Sequence, residues 1–467
     1  MKWQEVNGKV YSKRTALTAA FLCLAFCVSA CKREENVFPE LPGEPEASAP
    51  AEETETSASD SKTIKTLSVA LPYSDDTVRY LSAMFYMKRS GTWDDMYTGA
   101  DIDLASLDEV STDFVITNSE VPSKGADLIS VKSWDDNGYM PDVFLAQDCA
   151  SVYSGGYCTE LNEYISDSEY IDMSQIYVGA LQAASEDGVY YGIPHYSSAI
   201  VLLGNSDYIP DSGILSSKFT TDELLTYLEN IASENAEGSV VPFASAYKLA
   251  PYIAGSFDGD KAYSFMMYNE YKNDSEGASE VLAEDIGYIR GLYEGGLASN
   301  TDASGADPVF ARNAALWLET SDSIGLWSEY FPGKLYVLRL PCADTANPGV
   351  PYLEPYSLCV SENCGDKEFA AEFAEFITYD VDAQLLIYRT EDMSGYLPVI
   401  RDQGLWDEVC ADEFFGTEAY IYSQIMDNAV YCPAGYDNPL YRSSGEYLAE
   451  FFTLDEDFDP EACYGGN

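Results

Sequence analysis

The chain has 467 residues, enough for two domains or for one domain of two lobes. It contains 25 lysines and arginines against 79 aspartates and glutamates, a formal net charge of -54. Because binding to nucleic acid needs a basic surface, this charge excludes nucleic acid as a partner.

The N-terminal segment 1–30 has the layout of a bacterial signal peptide. Its basic start is followed by an uncharged run, rich in Ala, Leu and Phe, from Thr15 to Ala30. At about 16 residues this run is shorter than the ~20 that a transmembrane helix needs, which favours a leader over a permanent span. The four residues VSAC, which end at Cys31, resemble a lipobox, in which the cysteine is lipidated and becomes the new N-terminus. The alternative is an ordinary cleaved signal with an incidental cysteine.

Residues 31–62 are predicted to form a disordered acidic tether behind the lipidated Cys31. The stretch FPELPGEPEASAPAEETETSASDSK consists mainly of Pro, Glu, Ser, Thr and Ala. Such a composition buries too little apolar surface to offset the entropy of ordering. We therefore expect the protein at the extracytoplasmic face of the cell membrane, anchored there by its lipid.

Eight cysteines follow the tether, and their state is left open by the sequence. They are Cys149, Cys158, Cys342, Cys359, Cys364, Cys410, Cys432 and Cys463. An even number in an exported chain allows disulfides, and the pairs Cys149 with Cys158 and Cys359 with Cys364 are close enough for local bridges. Buried free thiols are the alternative. With one histidine and no Cys-x-x-Cys, the sequence argues against a zinc site, and we expect neither a metal nor a cofactor.

The first predicted strand lies in KTIKTLSVALPYSDD, where Leu67, Val69 and Leu71 alternate with other residues. Ser74 is placed to cap a helix that carries apolar residues at helical spacing. That helix is predicted to end at Gly91.

Two further strands are predicted in DFVITNS and PDVFLAQDC. Alternating strands and helices are typical of a parallel α/β layer. Ligands collect outside the carboxyl ends of such strands, which makes Tyr73 and Asp148 candidate contacts by position. Asp148 has the alternative role of capping the next helix.

Two later helices are predicted from their caps. Thr220 and Glu223 form a possible capping box, and Asp366 is placed to cap a helix with phenylalanines on one side. The apolar stripes of both helices are expected to be core rather than site.

A family resemblance is carried by seven segments in one order over about 260 residues. They read PDVFLAQD, GGYCTELNEYI, DGVYYGIPHYSSAIVLLGN, VFARNAALWLE, KLYVLRLP, EFAAEFAEFITY and SGYLPVI. This order resembles the family 1 extracellular solute-binding proteins, the maltose-binding-protein-like lipoprotein receptors of bacterial import systems powered by ATP hydrolysis. The sugar-binding members commonly have a Gly-x-Trp where this chain has Glu319, Thr320 and Ser321, and Asn313 replaces a usual Gly. The match therefore supports the scaffold more than the sugar.

The resemblance implies a periplasmic-binding-protein-like α/β fold, with two lobes joined by a hinge around a ligand cleft. Mapped onto 63–467, lobe I comprises about 64–195 and 355–390, lobe II comprises about 196–354 and 391–467, and the hinge passes near Pro194 to Ser198 and Tyr352 to Tyr356. A few backbone torsions at such crossings suffice to open or close a cleft.

Position and resemblance together indicate a set of ligand contacts. These are Tyr73, Asp148, His195, Tyr196, Ser198, Thr320 and Tyr356. Aromatic faces suit the apolar surfaces of sugar rings, and acids or hydroxyls pair with sugar hydroxyls. Most of the 37 tyrosines must serve packing or surface roles, and a plain hinge-surface role is the alternative for His195.

The expected function is capture of an external nutrient, an oligosaccharide, and its delivery to the subunits of an ABC permease by a monomeric receptor without turnover. Two alternatives remain: a surface lipoprotein that hydrolyses glycans, and a protein of the same fold used for sensing or adhesion. No short motif singles out a catalytic carboxylate pair, and no Gly-x-Ser-x-Gly elbow is present.

Overall fold

A mixed β-sheet, with helices packed against it, runs through the part of the chain that the computed structural model describes. The described residues are 64–93, 102–165, 170, 172–209, 215, 218–235, 239–250, 252–253, 275–342, 352–411, 419–431 and 446–453. They belong to one compact unit, Thr63–Asn467. The predicted leader, Cys31 and the tether lie outside the described residues.

The strands are numbered in chain order. They are β1 (Lys65–Ala70), β2 (Phe114–Asn118), β3 (Val143–Ala146), β4 (Ser185–Glu186), β5 (Val189–Tyr190), β6 (Ile193–Asn205), β7 (Val241–Ala244), β8 (Ala298–Ser299), β9 (Ala314–Thr320), β10 (Leu335–Leu338), β11 (Tyr352–Val360), β12 (Leu397–Pro398) and β13 (Val430–Tyr431).

The helices are numbered in the same way. They are α1 (Asp75–Arg89), α2 (Leu104–Asp108), α3 (Leu128–Asn137), α4 (Cys149–Ser154), α5 (Asn162–Ile165), α6 (Val178–Ala183), α7 (Thr221–Glu234), α8 (Ser275–Glu294), α9 (Ile324–Tyr330), α10 (Lys367–Tyr379), α11 (Val381–Thr390), α12 (Gln403–Ala411) and α13 (Ala419–Asn428). None of the helices in the described ranges is long and apolar enough to cross a membrane.

The predicted parallel layer at the start of the fold is confirmed. Strand β1 lies between β2 and β3 and is parallel to both. Across the main sheet the strand order is β2-β1-β3-β11-β6-β9-β7-β8, and β7 is parallel to β8 and β9. Strands β6 and β11 are antiparallel to their main neighbours, so two parallel layers are joined by an antiparallel centre. The predicted α/β fold class is therefore confirmed.

Strand β6 is buried along all 13 of its residues and connects the two parallel layers. Its first half pairs with β11, where Tyr196 lies opposite Tyr356 and Ser198 lies opposite Glu354. Its second half pairs with β9, where Ile200 lies opposite Thr320. The two segments predicted as the hinge are therefore neighbouring antiparallel strands.

The predicted helix caps are present. Ser74 Oγ accepts a hydrogen bond from Thr77 N at 3.3 Å at the start of α1. Thr220 and Glu223 form both hydrogen bonds of a capping box on α7. Asp366 accepts from the Phe369 backbone N–H at 3.2 Å, which fixes the start of α10. These local hydrogen bonds satisfy backbone donors that a helix leaves free at its N-terminus.

Helix α10 places its phenylalanines on one side, as the sequence predicts, and in the structure that side packs against α1. The rings of Phe369, Phe373 and Phe376 lie 5.1 to 5.7 Å, centroid to centroid, from the ring of Phe85. Such tilted and edge-on aromatic contacts add to the energy of burial. The stripe therefore forms core beside the first layer of strands.

The described C-terminal segments pack in two places. Helix α12 contacts α11, and α13 contacts α6, both of which were predicted for lobe I, although 391–467 was mapped to lobe II. Leu448, Phe451 and Phe452 instead join the apolar cluster around α7 and α8. The chain thus returns to the first layer of strands before residues 446–453 pack against the second.

Candidate functional site

His195 is fully buried near the start of β6, so the alternative of a hinge-surface residue is wrong. Its Nδ1 lies 2.8 Å from Thr378 Oγ1, and its Nε2 is hydrogen-bonded to the Tyr73 hydroxyl. Since burial disfavours the charged ring, the pKa of His195 falls to about 3. The ring is therefore neutral near pH 7, and one nitrogen donates while the other accepts.

Three tyrosine rings pack together next to His195. The ring centroids of Tyr196 and Tyr356 are 5.5 Å apart, and Tyr396 lies 4.8 Å from Tyr196 and 6.1 Å from Tyr356. Burial raises the pKa of all three phenols above the ordinary value, so all three stay neutral. The result is a buried aromatic group with polar edges.

The hydroxyls of two of these tyrosines have different surroundings. Tyr196 donates to the backbone carbonyl of Ser123. The Tyr356 hydroxyl is buried and has no hydrogen-bond partner within the described ranges. A buried polar group without a partner is costly, and such groups often mark a functional position. Tyr356 is therefore the predicted contact that the geometry favours most.

We call the pairing of β6 with β11, around Tyr196 and Tyr356, the crossing. Next to it, the side chains of Ser198 and Lys124 meet at Asp322. This residue lies in the short turn after β9, and its Oδ1 accepts from Ser198 Oγ at 2.8 Å. On its other side Lys124 Nζ lies 3.6 Å from Asp322 Oδ2, and the Asp322 side chain is only 6% exposed. A carboxylate held in this way has the chemistry to accept a ligand hydroxyl.

A second serine joins three segments at the same place. Ser321 Oγ donates to the Gly395 carbonyl at 2.6 Å and accepts from Ala199 N at 2.9 Å. Gly395 has a φ of +80°, and a Cβ there would lie 1.8 Å from Ser321 O. Only glycine permits this approach, which places the adjacent Tyr396 against Tyr196.

Glu319 and Thr320, at the end of β9, border this group. Thr320 is buried, with its Oγ1 3.3 Å from Ser323 Oγ. Glu319 Oε2 accepts from the Trp327 indole N–H at 3.0 Å. Burial raises the pKa of Glu319, and the charge of Lys248 opposes that shift.

Asp148 is the predicted contact that lies apart from the others. Its carboxylate caps α4, accepting from Ser151 N at 3.0 Å and from Ser151 Oγ at 2.6 Å, and it is exposed. This is the alternative role given by the sequence, and it accounts for the residue without a ligand. Its role as a contact stays a prediction.

The other six predicted contacts lie together: five are on β6, β9 and β11, and Tyr73 joins them through its hydrogen bond to His195. Sequence reasoning missed Lys124, Ser321, Asp322 and Tyr396, which the fold adds to them. Tyr396 lies in SGYLPVI, one of the segments that carry the family resemblance, so the sequence did contain a signal for this region. Nothing local in the sequence distinguishes Lys124 or Asp322 from other charged residues.

A groove of about 530 Å³ lies elsewhere, at the edge of the sheet. It is lined by α1, α2 and the edge strand β2, including Arg79, Asp108 and Thr117. It contains none of the predicted contacts. The buried tyrosines, His195 and Asp322 lie at the crossing, and none of them lines this groove.

Comparison with known proteins gives matches only among solved structures. No protein-family model matches the chain, and no curated protein matches it. The sugar-binding protein MalE from Xanthomonas citri matches at a TM-score of 0.60 and 14% identity, over 86% of this chain and 93% of that one.

Two other solved structures match to a similar degree. An extracellular solute-binding protein family 1 from Alicyclobacillus acidocaldarius has a TM-score of 0.56 at 13% identity, over 87% of this chain and 95% of that one. The ABC substrate-binding protein Lmo0181 from Listeria monocytogenes, in complex with cycloalternan, has a TM-score of 0.57 at 16% identity, over 84% and 95%. The chain therefore has the fold of the extracellular solute-binding proteins, and the predicted resemblance is confirmed at that level.

Proposed function

We propose that this chain is a solute receptor that binds an oligosaccharide at the crossing of β6 and β11 and passes it to an ABC permease. The observation that carries the proposal is the match of most of the chain to sugar-binding proteins with the same fold. The receptor would bind and release its ligand without changing it, as binding proteins do. Cys31 would hold it by lipid at the extracytoplasmic face of the membrane.

The chemistry of the crossing suits a neutral, hydroxyl-rich ligand. Tyr196, Tyr356 and Tyr396 offer rings for the apolar faces of sugars, and Tyr356 also offers its phenolic hydroxyl. Ser198 and Asp322 offer a hydroxyl and a carboxylate within 2.8 Å of each other. A sugar presents both kinds of surface, and its buried hydroxyls must all be paired.

Closure around the ligand would follow from the same elements. Strands β6 and β11 are paired antiparallel neighbours in the segments predicted as the hinge. The ion pair between Lys124 and Asp322 joins loops predicted for different lobes. A ligand that contacts both lobes binds the closed form more tightly and so raises its population. Tyr356 and Asp322 would then serve the ligand and the closed state together.

The experiment that tests the proposal is a thermal-shift screen of the chain from about residue 62 onward. The panel contains mono- and oligosaccharides, amino acids, peptides and divalent cations. A ligand present at 100 times its Kd stabilises the folded state by about 2.7 kcal/mol, because it does not bind the unfolded chain. A shift with oligosaccharides alone supports the proposal.

Two outcomes would count against it. A shift with amino acids, peptides or cations but with no sugar would overturn the sugar assignment. Recovery of a cleaved sugar after incubation, checked by mass spectrometry of the ligand, would favour the hydrolase alternative. The permease part is tested separately, by asking whether deletion of the gene abolishes uptake of the sugar found in the screen.

A further inference from the structure

Three thiols meet in one packed cluster outside the proposed binding site. Cys149, Cys158 and Cys359 are each at most 4% exposed and belong to the same apolar cluster, which also contains Phe144 and Tyr191. We call these three residues the thiol cluster. No function described above uses them.

The thiol cluster brings together two separate parts of the chain. Cys149 is the first residue of α4, and Cys158 forms an isolated antiparallel bridge with Ser361. Cys359 lies on β11, opposite Phe144 of β3. It enters this cluster about 200 residues after the other two along the sequence.

Cys359 is the shared neighbour within the cluster. Its thiol interacts with the thiols of both Cys149 and Cys158, and these contacts, with burial, raise its pKa. The other two also donate to backbone carbonyls, Cys149 Sγ to Ala183 O at 3.0 Å and Cys158 Sγ to Tyr191 O at 3.6 Å. The two thiols that interact with Cys359 are thus each held by a hydrogen bond to the backbone.

The arrangement differs from the local bridges that the sequence allows. Cys149, Cys158, Cys359 and Cys364 are all unpaired in the structure, so neither of those two local bridges is formed there. The Cys364 thiol interacts with Asp142 rather than with Cys359. Within the described ranges, no group of three His, Cys, Asp or Glu side chains has the geometry to hold a metal, the thiol cluster included.

We infer that the thiol cluster is a site of oxidation, in which Cys359 forms one disulfide with either Cys149 or Cys158. The oxidant is an external disulfide, carried by a protein or a small molecule. One thiolate attacks it and forms a mixed disulfide, and the second thiolate then displaces the remaining half. One S–S bond forms and one breaks, two electrons pass to the oxidant, and its two sulfurs leave as thiols with the two protons.

Burial decides when this reaction takes place. A thiol of raised pKa in an apolar cluster is a poor nucleophile, so the folded cluster reacts slowly with oxidants and reductants alike. Oxidation would therefore take place during folding, before β11 has packed beside α4. The bond closes a loop of about 200 residues and restricts the unfolded chain, which stabilises the folded one.

The bond would fasten the returning strand β11 to the layer formed by the start of the chain. Cys149, Cys158 and Cys359 all fall within the residues predicted for lobe I. A disulfide here therefore leaves the crossing near Tyr196 free to move. Formation of this disulfide is independent of what the protein binds.

The test is peptide mapping of the full chain after export by a host with an oxidising extracytoplasmic space. The sample is quenched in acid, alkylated in denaturant without reductant, and digested. The expected result is a peptide pair joined through Cys359 to Cys149 or Cys158, which separates on reduction. Alkylation of all three cysteines without reductant, or a bond between Cys149 and Cys158, would overturn the inference.

A matched pair of variants gives a second measurement. Cys342 is also buried and unpaired, with its Sγ donating to Phe219 O at 3.1 Å, but it lies outside the thiol cluster. Refolding with oxidised rather than reduced glutathione should raise the melting temperature of the wild type and of Cys342→Ala by about 5 °C. For Cys359→Ala the two melting temperatures should coincide. A similar difference in both variants would overturn the inference.

Discussion

Two tyrosine hydroxyls at the crossing differ in their partners, and this difference separates stability from binding at single residues. Tyr196 donates to the carbonyl of Ser123, whereas Tyr356 has no hydrogen-bond partner among the residues described. Both rings are buried and pack on each other. Removing a satisfied hydroxyl loses a hydrogen bond, while removing an unsatisfied one relieves a desolvation cost.

We expect Tyr196→Phe to lower the free energy of unfolding by about 1 kcal/mol, and Tyr356→Phe to leave it unchanged or raise it by up to about 1 kcal/mol. Only Tyr356→Phe should weaken binding of the sugar found in the screen, by roughly tenfold for one lost hydrogen bond. Denaturant unfolding and calorimetry measure the two effects. Equal losses of stability would mean that the Tyr356 hydroxyl is satisfied in the folded protein.

His195 links stability to pH through burial alone. The unfolded residue has the ordinary pKa of about 6.5, whereas the pKa in the folded state is about 3. Between these values the unfolded state binds a proton and the folded state does not. The contribution of His195 is therefore fully present above pH 6.5 and is lost as the pH falls towards 3, at about 1.4 kcal/mol per unit.

We expect the stability advantage of the wild type over His195→Gln to shrink by about 2 kcal/mol between about pH 8 and about pH 5. Unfolding in denaturant at both pH values measures it. The comparison removes the titration of the carboxylates, which both proteins share, and the chain has no second histidine. A constant difference would mean that His195 is accessible to protons when folded.

Some site residues could be predicted from the sequence, and others could not, for a physical reason. Tyr73 follows the first predicted strand and His195 lies in the hinge segment implied by the resemblance, so position along the chain was enough to select them. Lys124 and Asp322 meet across about 200 residues of sequence, in loops whose approach depends on the whole fold. In a chain with 79 acids, no local pattern distinguishes Asp322.

At the scale of elements, the turn at Gly395 fixes one wall of the site. Gly395 has a φ of +80°, which favours glycine. Glycine is also required because a Cβ at this position would lie only 1.8 Å from the carbonyl oxygen of Ser321. Gly188, in the turn between β4 and β5, has nearly the same φ of +81°, but a Cβ there meets nothing within 4 Å. The pair separates the cost of the backbone angle from the cost of the contact.

We expect Gly188→Ala to lower the free energy of unfolding by about 1–2 kcal/mol, the cost of a left-handed backbone for alanine. Gly395→Ala should cost a further 1–3 kcal/mol or so, because the methyl group must displace the backbone of Ser321. It should also weaken sugar binding, since Tyr396 would move away from Tyr196. Equal losses of stability in the two variants would show that the turn yields without strain.

The elements that the sequence predicts well are those fixed by local hydrogen bonds. Ser74, Thr220 and Asp366 each cap a helix where the pattern placed them, because a cap involves residues only three positions apart. Strand β6 is different. The sequence indicated a hinge near its start, but its 13 buried residues depend on pairing with β11 along one half and β9 along the other.

At the scale of the whole molecule, the protein depends on contacts between distant segments. Strand β11 returns to the first layer after the second has been completed, and α12 and α13 then pack on α11 and α6. In the proposed closure, movement of one layer against the other is therefore concentrated at the pairing of β6 with β11. Side-chain links that bridge the crossing should control the balance of open and closed forms.

Lys124 and Asp322 form such a link, and replacing Lys124 by an uncharged residue tests it. With Asp322 only 6% exposed, loss of the neighbouring charge leaves a carboxylate poorly compensated in the form that brings the two loops together. A penalty of about 1 kcal/mol on that form would raise the Kd for sugar about fivefold. We therefore expect Lys124→Met to bind more weakly and, without ligand, to show a larger radius of gyration by small-angle X-ray scattering.

Lys132→Met is the matched control, because it makes the same change in charge and side chain. Lys132 pairs with Asp136 on α3 at 3.3 Å, and both side chains are more than half exposed, so this pair contributes little. Its Kd and radius of gyration should equal those of the wild type. If the two variants shifted alike, the effect would come from net charge, and the Lys124 link would have no part in closure.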